Sequence, residues 1–83
     1  MEINSKIEKA KKGDQIAFTF LLDYYWNEVY SFMLKRTENE TTAEDITIET
    51  FSKAFDKIAT YNKEFQFNTW LIAIAKNVYI DLL

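Results

Sequence analysis

The residues in this chain best suited to chemistry are charged and amide side chains rather than nucleophiles. Histidine and cysteine are both absent, which removes the commonest general base, thiolate chemistry and most metal ligation. Asp45, Glu49, Ser52 and Asp56 recur on one outward stripe at helical spacing, and Lys53 and Lys57 fall together beside it. Acids early and lysines late complement a helix dipole. The same pattern also suits two contacts, an acidic one for a basic protein surface and a basic one for phosphates. In the closing stretch QFNTWLIAIAKNVYIDLL, residues Trp70, Leu71, Ile74, Ala75, Val78 and Leu82 repeat as an apolar stripe with Asn77 at its rim. An Asn so placed either closes a structural hydrogen bond, to the preceding loop or to Asp81 one turn on, or reads the edge of an extruded base. Tyr61, Phe65 and Phe67 upstream are either core residues or stacking platforms. Catalysis would need a carboxylate pair or a lysine in a cleft, and these carboxylates read as solvated helix faces. The expectation is a binding protein, not an enzyme, with no cofactor and no metal.

The elements that must position these side chains are helical. With no proline and one glycine among 83 residues, strands joined by tight turns are disfavoured, and an all-α, compact bundle of about four helices is expected as a single domain over residues 1–83. A first short helix runs from about Ser5 to Lys12 with Gly13 as its stop. Asp14 then caps a long second helix to about Arg36, with Phe18, Leu21, Leu22, Tyr25, Val29, Phe32 and Met33 on its core stripe. Other apolar residues cover its remaining sides, so this helix is buried or meets a partner. Thr41 with Glu44 reads as a capping box opening a third helix to about Ala59, with Ala43, Ile46, Thr50, Phe51, Ala54 and Ile58 inward. TYNKEFQFN is the loop, where Asn62 is expected to supply a left-handed turn. Asn68 or Thr69 caps the fourth helix. The net charge of −3 comes from 37–50, where Glu38, Glu40, Glu44, Asp45 and Glu49 have no basic neighbour. No run is apolar enough for a signal peptide or a membrane span, so a cytoplasmic protein without membrane insertion is expected.

GDQIAF, then AEDITIETFSKAF, then the aromatic loop, then FNTWLIAIAKNVYID closely resemble the second conserved region of bacterial RNA polymerase sigma factors, of the extracytoplasmic-function (ECF) group. The resemblance spans about residues 10–83, and TWL follows the Phe of AEDITIETF at the family's spacing. It implies a domain that docks on core RNA polymerase, at the clamp coiled coil of the β′ subunit, through Asp45, Ile48 and Glu49. Where Ile48 stands, relatives usually carry Gln. It further implies capture of a flipped base of the promoter −10 element on the non-template DNA strand. Tyr61 would wall or stack on the base, Thr60 would line the pocket, and Asn77 would bond the base edge with Ile74 behind it. Lys53 and Lys57 would contact the backbone, with Lys63 and Lys76 assisting. An anti-sigma factor is a further partner the resemblance allows. A helical interaction module held by such a partner, without DNA binding, is the rival reading. Relatives continue past Asp81 into a domain for the −35 element, so the chain is expected to be a trimmed piece of a longer protein.

Overall fold

Gly13 and Asp14 divide the first two helices as their chemistry requires. The computed structural model describes residues 2–83; α1 spans Ile3–Lys11 and α2 spans Gln15–Thr37. Gly13 adopts φ +94°, a conformation costly to any residue with a Cβ. Asp14 Oδ1 then accepts from the backbone N–H of Ile16 at 3.0 Å and of Ala17 at 3.1 Å, satisfying two orphan donors of α2. At 1.5 Å per residue, the 23 residues of α2 extend about 34 Å, matching the longest dimension of the molecule, 34 Å. The other helices wrap this axis: α3 (Glu40–Lys57) and α4 (Phe67–Leu82) each pack on α2 and on each other, and α1 packs on α2. An axis enclosed on several sides needs apolar residues around much of its circumference, which is why α2 lacks one clear polar face.

The turn between α2 and α3 departs from expectation. Glu38 takes the left-handed conformation, φ 53°, that usually selects Gly or Asn, and its N–H bonds Leu34 O at 2.8 Å. Asn39, not Thr41, is the cap of α3: its Oδ1 accepts from Thr42 N at 2.9 Å, so the Thr41–Glu44 capping box is not formed. The expected inner face of α3 is buried throughout, with Thr47 added to it. Thr47 and Thr50 are fully buried, and each hydroxyl donates to the carbonyl four residues back, Ala43 O and Ile46 O, at 2.7 Å. Hydroxyls satisfied within their own helix make no demand on the core. A 3₁₀ turn, Ile58–Thr60, ends α3.

Candidate interaction surfaces

Residues that the family resemblance implies for one base pocket line separate clefts in the fold. Lys53 and Lys57, one turn apart on α3, share a cleft of about 280 Å³ with Ile74, Asn77, Val78 and Asp81 of α4. Ile74 and Val78 are buried and form its apolar floor, while Asn77 and Lys57 are exposed and Lys53 half-buried. An exposed Asn owes no amide to the protein interior, so Asn77 is free to use its donor and acceptor outward. The cleft therefore offers two ammonium groups, an amide and a carboxylate around an apolar base, a set able to hold a planar heterocycle beside a phosphate.

Tyr61 and Thr60 do not line that cleft. Tyr61 is 5% exposed. Its ring stands edge-on to Phe67 with centroids 5.2 Å apart and lies 5.2 Å from Trp70. Its hydroxyl donates to Phe65 O within the loop, and its carbonyl accepts from Lys11 Nζ at 3.1 Å. Burial pushes the Tyr61 phenol above the usual tyrosine value, and burial does the same for Tyr25, with neighbouring Tyr24, Glu28 and Tyr61 adding to it. Tyr61 thus pins the loop to the bundle, and the little of it that stays exposed lines the cleft it shares with Lys63 and Phe65. The Thr60 hydroxyl is committed to Lys57 O at 2.6 Å, where it caps the end of α3.

The loop itself, residues 61–66, turns without a left-handed residue at Asn62. Instead Asn62 Oδ1 accepts from Glu64 N at 2.9 Å and Asn62 O from Phe65 N at 3.0 Å, a side-chain turn that serves the same purpose. This turn leaves the Phe65 ring 61% exposed and Lys63 exposed. Both line a polar cleft of about 490 Å³ between the loop and α1–α2, with Tyr24, Tyr25 and Glu28. Asn68 does not cap α4, which begins at Phe67 after Gln66; its Nδ2 donates to Glu28 Oε2 at 2.8 Å and ties α4 to α2. Lys76 is exposed on yet another part of α4, near Ile72 and Ala73.

On α3, Asp45, Ile48 and Glu49 are all exposed, as expected. Beside them lies a feature that sequence reasoning missed. Ile48, 53% exposed, stands at the edge of an apolar groove of about 370 Å³ between α2 and α3, floored by Phe18, Leu22, Trp26, Phe51 and Phe55. Ring pairs Phe18–Phe55, 4.7 Å apart, and Trp26–Phe51, 6.0 Å apart and stacked, make that floor stiff. The available signal was the surplus of aromatic residues around α2, whose location no periodicity could fix.

The chain matches the sigma-70 region 2 family over residues 21–83. It is 38% identical over 81 residues to the ECF RNA polymerase sigma factor SigW of Bacillus subtilis, covering 98% of this chain and 43% of that relative. It is also 38% identical over 76 residues to the ECF RNA polymerase sigma factor BldN of Streptomyces coelicolor, covering 90% of this chain and 29% of the relative. The chain thus spans less than half the length of these curated relatives. Its fold superposes on an engineered region 2 of sigmaE, solved by NMR in complex with GTAAAA, with TM-score 0.90 and 28% identity over 99% of this chain and 85% of the other. It likewise superposes on a chain of the RsbN–BldN complex with TM-score 0.83 and 36% identity, over 90% of this chain and 55% of that one.

Proposed function

This chain belongs to the sigma-70 region 2 family, in its ECF branch, and from that premise we propose that it attaches to core RNA polymerase and captures the unpaired non-template strand of the −10 element. The observation that carries the reading is segregation. Asp45, Ile48 and Glu49 stand exposed on one part of α3, and Lys53 and Lys57 join Asn77 and Ile74 in a separate cleft. One rigid helix can then serve two macromolecules at once. Asp45 and Glu49 attract a basic surface of the polymerase, the β′ clamp coiled coil in this reading, and Ile48 adds an apolar contact where relatives place an amide. Lys53 and Lys57 hold phosphates, Asn77 bonds a base edge, and Ile74 backs it. Phe65 takes over the stacking role that Tyr61 is too buried to fill, with Lys63 beside it.

Energetics argue for the division of labour. Each DNA base-pair step costs about 1.4 kcal/mol to separate, and extruding a base costs a few kcal/mol more. One stacked base returns only about 1–3 kcal/mol. A bundle with so few cations toward DNA cannot open several pairs unaided, so attachment to a larger machine is part of the mechanism. The role is binding and positioning rather than catalysis, residues 1–83 act as one domain, and the place of action is the cytoplasm, where the polymerase is. Among the described residues no helix is long and apolar enough to cross a membrane.

Glu49→Lys tests the attachment. It should lower affinity for core polymerase by at least tenfold while leaving the circular dichroism spectrum and strand binding as they were. Unchanged polymerase affinity would remove α3 from the docking role.

A further inference from the structure

Two cations from different helices converge on a single ring outside the clefts already described. Phe32, half-buried on α2, has the Arg36 guanidinium carbon 4.6 Å from its ring centroid and, from α4, Lys76 Nζ 5.6 Å from the same centroid. Both charged groups belong to exposed residues, and these distances keep them within about 10 Å of each other, one Debye length at 0.1 M salt. Lys35 lines the adjoining cleft of about 440 Å³ together with Asn27, Glu28, Ser31 and Phe32. The chain has no Asp or Glu from Val29 to Thr37 or from Phe67 to Ile80, although it is acidic as a whole. Glu28, at the margin of this face, already accepts the Asn68 amide.

Cation–π attraction to Phe32 offsets the mutual repulsion of the two charges, so the pair is held ready without an anion. Arg36 carries five N–H donors, enough to lie against Phe32 and still grip a phosphate through two bonds. Lys76 also directly precedes Asn77 on α4, about 100° around the helix. A strand read at Asn77 therefore has its next phosphates within reach of this second face.

We propose that Arg36, Lys76 and Lys35, gathered around Phe32, form a second phosphate-binding face that holds nucleic-acid backbone beyond the nucleotides read at the Asn77 cleft. The inference rests on the strand-capturing function proposed above. It is tested with two single-stranded DNA probes, GTAAAA and the same hexamer extended by about ten thymidines at each end, titrated at several salt concentrations. For the wild-type chain, extension should tighten binding about fivefold or more and steepen the slope of log K against log salt by about 1.4, two phosphates at about 0.7 each. K35Q/R36Q, which alters only exposed side chains and should keep the wild-type circular dichroism spectrum, should bind GTAAAA normally and lose most of the gain from extension. An equal gain in wild type and variant overturns this inference and leaves the strand-capturing function standing. A variant that instead loses core polymerase affinity, with the gain from extension intact, gives the face to a protein partner and also overturns it. Failure of the wild-type chain to bind either probe at low salt defeats the underlying function itself.

Discussion

The neighbourhoods of Tyr61 and Asn77 look alike as sequence, each an amphipathic side chain at the edge of an apolar run, yet the fold uses them in opposite ways. Tyr61 lies among Phe67, Trp70 and the loop backbone, with its hydroxyl satisfied inside the protein. Asn77 stands at the lip of an open cleft with two lysines. The first is a fastener, and the second is the reader in the function proposed above. Placement of the loop by Tyr61 is what allows Phe65 to face outward, so the two roles depend on each other without sharing a pocket.

The contrast can be broken most forcefully at Tyr61. Tyr61→Ala should cost about 3–5 kcal/mol of stability, as aromatic truncations in cores do, read as a large fall in the urea midpoint, whereas Asn77→Ala should shift it by less than about 0.5 kcal/mol. Equal losses would mean that Asn77 is structural after all. On the reading side, Asn77→Ala should relax discrimination at one −10 position by about 1–3 kcal/mol, measured by competition among single-base variants of the strand. Uniform weakening over all variants would make Asn77 a generic contact.

A gentler change sharpens the same contrast. Tyr61→Phe removes the hydroxyl that bonds Phe65 O and should cost about 1 kcal/mol. Its signature is alkaline. The buried phenol titrates above its unfolded value of about 10, so the folded chain retains a proton that the unfolded chain releases. Stability is therefore complete below that value and falls as pH rises through and above it. Denaturant titrations should show Tyr61→Phe losing less stability than wild type over that range, with the residual slope due to Tyr25, whose phenol is shifted in the same direction. Identical slopes would place Tyr61 in solvent. Smallest in effect is K53Q/K57Q, both replaced side chains lining the reading cleft. Its strand affinity should depend less on salt, by about 1.4 in slope, with the urea midpoint hardly moved.

Much of this architecture was legible before any coordinates. Gly13 followed by Asp14 announces a stop and a start through backbone chemistry that few other residues can supply, and the inner stripe of α3 follows from helical period alone. The errors arise where several residues compete for one task. In TENETT, two residue types, Thr and Asn, can cap a helix, and the choice of Asn39 depends on Glu38 accepting a left-handed conformation that its side chain does not advertise. In TYNKEFQFN the aromatic residues follow no period, so nothing local says that Tyr61 and Phe67 turn inward and Phe65 outward. Asn68 bonds Glu28, forty positions away, which no local rule reaches. Both the α2–α3 groove and the convergence of Arg36 with Lys76 depend on which helices become neighbours, and composition alone does not disclose it.

The proposed function requires one small bundle to bind an enzyme and an unpaired strand simultaneously, through separate faces. Fluorescence anisotropy of a labelled non-template −10 strand, titrated with the chain in the presence and absence of saturating core polymerase, tests it most directly. The free chain should bind measurably but weakly, and binding should be at least tenfold tighter when polymerase is present. Equal affinity in the two titrations, or displacement of the strand by polymerase, would contradict it.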